Sequence, residues 1–179
     1  MKASVILSFL LTVVSAAPPT NKAKREQNVN TQNNFLSQKD GKIGAFAGAR
    51  ESVANAGKFF TSTYPATGTV QLMAGNWDHQ VGLKATTKGV MQLVDLGRDF
   101  TADKIPKDAP GSVEWGVFQV GTGGEITVKD GADVPTRQWI TYLDTDGVYY
   151  VGLWDGVTQQ PRSFANVTLV ATKTEGLWT

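Results

Sequence analysis

The sequence predicts an all-β fold, an antiparallel β-sandwich of jelly-roll-like topology with about eight strands and one short helix ahead of the sheet. From Thr69 onward, short runs of β-branched and aromatic residues recur, each bounded by Gly, Pro, Asp or Asn. In the last run the alternation is clean. Ala165, Val167, Leu169 and Ala171 point one way and Asn166, Thr168, Val170 and Thr172 the other, so one face is core and the other largely solvent. The chain has no cysteine, which excludes a disulfide scaffold, a thiol enzyme and a Cys-ligated metal. A hydrophobic core must therefore hold it together, and the roughly 150 residues beyond the N-terminal 25 are enough to bury about 68 to 70% of their unfolded surface. One domain is expected.

The N-terminus has the pattern of a secretory signal peptide over residues 1–16. Lys2 precedes the apolar run Val5 to Val14, and the small residues Ser15, Ala16 and Ala17 follow it. That run is too short to span a bilayer, which takes about 20 apolar residues. Cleavage after Ala16 fits the small-x-small rule, with Ala17 as the alternative. Residues 17–25 end in the dibasic pair Lys24-Arg25 and resemble the short pro-segments trimmed from fungal secreted proteins. Of the 17 Lys and Arg, Lys2, Lys22, Lys24 and Arg25 lie in these first 25 residues, leaving 13 against all 16 Asp and Glu, a net of −3. An acidic domain without a basic cluster is a poor match for nucleic acid or an anionic membrane.

Residues 26–42 are rich in Asn and Gln, with Phe35 and Leu36 as their large apolar pair, and read as a flexible polar arm ahead of a single domain at 43–179. The Ala-rich, Gly-interrupted stretch that follows allows one short helix near Arg50 to Ala56. Strands are expected over Thr69 to Met73, Val81 to Thr86, Val90 to Leu96, Val113 to Val120, Glu125 to Lys129, Trp139 to Leu143, Val148 to Trp154 and Ala165 to Thr172. GTGG at 121–124 and DTDG at 144–147 suit hairpin loops, and Asp-Gly pairs at 40, 130, 146 and 155 mark turns.

The segments DGVYYVGLWDGV (Asp146 to Val157) and FANVTLVAT (Phe164 to Thr172) resemble the closing strands of the pre-peptidase C-terminal-like β-sandwich, in which a Gly-x-Tyr-Tyr-Val segment precedes an Asn-x-Thr-Leu-x-Val strand. The resemblance implies a sandwich fold. It implies no activity, since that module accompanies peptidase domains and none is present here.

The hairpin Tyr142 to Gly156 admits three readings. It is first a well-made hairpin, because Asp144, Asp146 and Gly147 are what a tight turn requires. Secondly, it is an aromatic platform for sugars. Period two puts Tyr150, Gly152 and Trp154 on one face, with Gly152 leaving space between the rings. A four-residue loop sets Trp139 and Thr141 beside Tyr150, whereas a three-residue loop with a bulge sets Ile140 and Tyr142 there. Asp155 or Gln159 would bond a sugar's edge. Thirdly, Asp144 and Asp146 open a calcium-loop pattern that Val148 and Tyr149 leave incomplete. No other cofactor is expected.

His79, the sole histidine, lies in GNWDHQ beside Trp77 and Asp78. This suits a binding loop better than a triad, because no G-x-S-x-G elbow is present. Asn166-Val167-Thr168 is the single glycosylation sequon. These residues together describe a small secreted, non-enzymatic protein that binds an extracellular carbohydrate or a cell-surface partner, as a fungal effector would. The ligand residues expected are Tyr150, Trp154, Trp139, Tyr142, Trp77 and His79. The competing readings are a compact extracellular hydrolase with an Asp/Glu pair and a structural cell-wall component.

Overall fold

The computed structural model describes residues 7–15, 34–48, 52–64, 67–75, 78–87, 89–98, 100, 112–159, 161 and 163–173. Among the described residues, fourteen strands form one antiparallel sheet. They are β1 (Leu7–Ser15), β2 (Asn34–Phe35), β3 (Ser37–Lys39), β4 (Lys42–Ala45), β5 (Lys58–Tyr64), β6 (Thr69–Ala74), β7 (His79–Ala85), β8 (Val90–Arg98), β9 (Val113–Glu114), β10 (Phe118–Val120), β11 (Ile126–Val128), β12 (Gln138–Leu143), β13 (Tyr149–Trp154) and β14 (Phe164–Lys173). Among the described residues the one helical element is a single 3-10 turn, Val53–Asn55. The expected helix is reduced to this turn, with Gly48 and Gly57 on either side.

The all-β, antiparallel, sandwich-like expectation holds, with more strands than anticipated. The eight longer strands pair in a closed circuit in which β5, β6, β7 and β8 run as a meander. From β8 the circuit passes through β13, β12, β14 and β1 back to β5. Neighbouring strands splay at three joints, and short strands fill the forks. β2 enters between β1 and β5, β4 between β13 and β8, and β9 with β10 between β6 and β7. This is why the run expected as one strand over Val113 to Val120 is two strands. Its first half bonds β7 and its second bonds β6 and β11, on either side of a break anchored by the Thr69 hydroxyl donating to Gly116 O.

The inner faces meet in one core. Leu11, Leu36, Ile43, Phe59, Leu72, Val81, Leu83, Leu93, Phe118, Ile126, Trp139, Val151 and Leu169 are all buried in it. β14 follows the expected alternation, with Val167 and Leu169 buried and Asn166, Thr168 and Val170 half-buried.

Two boundaries differ from expectation. Asn34 to Lys39, read as part of a flexible arm, belongs to the sheet, and Leu36 is fully buried with its N–H bonded to Leu11 O at 2.9 Å. One apolar pair, Phe35 and Leu36, is enough to dock this otherwise polar segment when a strand edge lies ready for it. The folded unit accordingly begins before residue 43. The apolar run read as the leader core is β1, between β5 and β14. Ala16, Lys24 and Arg25 lie outside the described residues.

Candidate binding site

The β12–β13 hairpin pairs Tyr142 with Tyr150 and Leu143 with Tyr149. Its loop is closed by Asp144 N–H to Val148 O and Gly147 N–H to Asp144 O, both 3.0 Å, and Gly147 takes φ +79°. This is the three-residue loop with a left-handed glycine. It sets Ile140 and Tyr142 beside Tyr150 and sends Trp139 to the opposite face, into the main core, where Trp139 Nε1 donates to Ile126 O at 2.8 Å.

Tyr142, Tyr150 and Trp154 do share the outer face, but they are not an open strip. Their relative exposures are 4%, 1% and 5%. They form a second, smaller core with Val90 and Ile140, flanked by Phe46, Val148 and Phe164. Phe46 packs edge-on against Tyr150 with centroids 6.2 Å apart, and Phe164 lies 6.0 Å from Trp154. The space expected over Gly152 is filled from β8. A Cβ there would sit 2.3 Å from Val90 Cγ1, 3.1 Å from Met91 O and 3.3 Å from Tyr142 Cε1. The polar tips are bonded inside the protein as well. Tyr150 Oη donates to Asp146 Oδ2 at 2.6 Å, and Trp154 Nε1 donates to Thr158 O at 3.1 Å. As folded, Trp139, Tyr150 and Trp154 are packing residues, Trp139 in the main core and the other two under side chains from β8, β12 and β14 and from Phe46 and Val148.

Both turn carboxylates accept hydrogen bonds from the hairpin's own backbone. Asp144 Oδ1 accepts from Thr145 N–H at 2.8 Å. Asp146 Oδ1 accepts from Val148 N–H at 3.0 Å, and its Oδ2 accepts from both Tyr150 Oη and Lys42 Nζ, the latter also at 3.0 Å. The Tyr150 hydroxyl and then the Lys42 ammonium bring the Asp146 pKa down to about 2. Among the described residues, no three His, Asp or Glu side chains gather as metal ligands, so the calcium pattern lacks a third carboxylate in space as in sequence. Asp155 organises the next turn, accepting from Val157 N–H, Thr158 N–H and the Thr158 hydroxyl. Burial alone would raise its pKa, but these three donors outweigh it and the net shift is downward. Gln159 is exposed nearby.

One candidate ligand residue, Tyr142, lines a recess. It is a shallow pocket of about 140 Å³ on the outer face between β8 and β12, bounded by Thr86, Thr87, Val90, Gln92, Tyr142, Asp144 and Pro161. Val90, Pro161 and the Tyr142 ring supply apolar wall. Two hydroxyls, one amide and one carboxylate supply hydrogen-bonding rim. Burial, with the Asp144 charge second, pushes the Tyr142 phenol well above its usual pKa, so it stays protonated and neutral. Sequence reasoning missed Gln92 and the Thr86-Thr87 turn, because nothing local distinguishes them. They join Tyr142 only through the pairing of β13 with β8, which no single sequence states.

His79 lies at the far end of β7, where β8 carries an irregularity in register between the pairs His79–Arg98 and Val81–Asp95. The extra residue brings Asp95 under the imidazole, as bulges re-aim side chains. His79 Nδ1 is 2.8 Å from Asp95 Oδ2, and the Asp95 side chain is only 3% exposed. Gln38 bonds the same carboxylate oxygen, and Gly97 N–H donates to the other at 2.8 Å. His79 Nε2, the atom a catalytic triad would turn to a nucleophile, faces Arg98 Nε at 3.4 Å, and Arg98 is itself paired to Asp78 at 2.8 Å. The imidazole is thus held between two β-strands by charged partners. Trp77 lies outside the described residues.

A carboxyl pair does exist that the sequence did not reveal. Glu114 on β9 and Asp130 after β11 lie near enough to shift each other's ionisation, Arg137 bonds Asp130, and Glu114 Oε2 is buried without a hydrogen-bond partner. Burial first, then the Asp130 contact, raises the Glu114 pKa. Burial would raise Asp130 too, but the bonds from Arg137 and Ala132 N–H prevail and lower it. Glycosidase pairs stand roughly 5 to 10 Å apart to admit water or the anomeric carbon. In this pair Asp130 is held by the Arg137 guanidinium in an ion pair, which commits it to a structural contact.

Asn166 of the sequon pairs with Ile140 in mid-sheet and is half-buried, its Oδ1 shielded and without a partner. No helix among the described residues is long and apolar enough to cross a membrane. No family model, curated protein or solved structure matches the chain.

Proposed function

We propose that this is a small secreted, non-enzymatic binding protein that takes a carbohydrate unit of a cell wall or glycoprotein in the Tyr142 pocket. The observation that carries the reading is the composition of that recess: an aromatic and aliphatic wall beside the neutral hydrogen-bonding groups of Thr86, Thr87 and Gln92 and the single carboxylate of Asp144. A sugar ring offers the complement, an apolar C–H face with a rim of hydroxyls. The carboxylates of Asp130 and Asp95 are bonded within the protein, which favours binding over hydrolysis. Secretion rests on Lys2, the apolar run and the small residues up to Ala17.

The test is retention of the purified protein on a panel of insoluble wall polysaccharides, beside Gln92→Ala and, as a control outside the pocket, Gln159→Ala. Retention by one polysaccharide, weakened about three- to tenfold by Gln92→Ala as loss of one neutral hydrogen bond requires and unchanged by Gln159→Ala, supports the pocket. Equal retention of all three proteins, or none on any polymer, counts against it.

A further inference from the structure

We propose that the gap between β5 and β14 is a strand-accepting slot, and that its occupant is this chain's own segment 7–15, held there by backbone pairing whether or not it remains covalently attached. The apolar run with the pattern of a leader is the strand that closes the circuit. On one edge it pairs with β14 at every position from Phe9 to Ser15. On the other it pairs with β5 from Leu7 to Leu10, and with β2 at Thr12 and Val13. Its central residue Leu11 is fully buried in the main core, its Thr12 hydroxyl donates to Val170 O at 3.2 Å, and Leu36 N–H bonds Leu11 O.

Without this segment, β5 over 58–61 and β14 over 167–173 each lose the partner on one edge, while Leu36 loses the backbone acceptor that docks it. Two facing, unpaired edges of this kind are a template for one added strand antiparallel to both, the geometry of β-strand addition. The slot selects for an apolar occupant, because the position of Leu11 is sealed from solvent. A segment that targets the chain for export would by the same residues complete its fold, and cutting the chain after β1 would leave a two-piece protein.

The experiment starts from the full-length chain with a specific protease site inserted between residues 16 and 33. After cutting, the N-terminal fragment is expected to co-elute with the body in native gel filtration and to separate only in denaturant. A labelled peptide of residues 5–15 should exchange into the cut protein, whereas a scrambled peptide should not. A second full-length protein, Leu11→Asp, should release the fragment after cutting and lower the unfolding midpoint before cutting by more than about 10 °C. Release of the wild-type fragment with no change in the midpoint of the body overturns the proposal. So does equal uptake of the scrambled peptide.

Discussion

The Asp146 carboxylate receives Val148 N–H, the Tyr150 hydroxyl and the Lys42 ammonium, and so is held ionised well below the ordinary carboxylate range. Its pKa of about 2 in the folded protein lies below the unfolded value of roughly 3.9. The stabilisation is therefore complete above the unfolded value and lost as pH falls through the folded one. Asp146→Asn should lower the urea midpoint at pH 7, and the difference from wild type should disappear between about pH 4 and pH 2. Tyr150→Phe removes the same bond from the other side. Tyr150→Phe should therefore lower the urea midpoint at pH 7 in the same direction as Asp146→Asn. Glu114 has the opposite sign. Its raised pKa means that the protonated form suits the fold, so its contribution is full below the unfolded value and lost as pH rises through the folded one. Glu114→Gln, which removes the charge at nearly the same volume, should match or exceed wild-type stability at pH 7 and show no gain at pH 3, read from urea midpoints. Turn residues such as Asp146 and Gly147 were legible in the sequence because turns are local. The bonds from Lys42 to Asp146 and from Gln38 to Asp95 were not, since they span 104 and 57 residues.

At the scale of elements, the hairpin register and the second core depend on a missing side chain. Gly152 sits opposite Ile140 on one side and Gln92 on the other, and Val90 fills the space above it. Gly152→Ala should cost about 1 to 3 kcal/mol by overpacking, and Val90→Ala in the same chain should recover part of that loss. A denaturant double-mutant cycle measures both. The eight runs expected from β-branched and aromatic clustering all lie on observed strands. The strands missed are the ones that clustering hides. β5 buries both Phe59 and Phe60, on successive positions, so its period of two is obscured. β4, with the sequence KIGA, is too short to carry a period. β1 is apolar without alternation, which reads equally as a leader and as a buried strand. The aromatic strip was correctly placed on one face of β13, but the cover supplied by Phe46, Val90 and Phe164 comes from three other parts of the chain.

At the scale of the molecule, the closed circuit divides labour between two sides of the sheet. The inside carries the stabilising core. The outside of β8, β12 and β13 carries a smaller aromatic core that seats Tyr142 at the edge of the pocket. Stability and binding are therefore carried by different residues. Trp154→Ala, with its ring in the sealed outer core, should destabilise by about 3 to 5 kcal/mol and affect ligand retention only through unfolding, whereas Gln92→Ala should weaken retention with little change in the unfolding midpoint. The most direct measurement is amide chemical-shift mapping of the isotopically labelled protein during titration with soluble β-glucan and chitin oligosaccharides. Saturable shifts concentrated at Thr86, Thr87, Gln92 and Asp144 are predicted for one of these ligands. Shifts centred instead on the His79–Arg98 end of the sheet, or no saturable shift with any oligosaccharide, would contradict a carbohydrate site in the Tyr142 pocket.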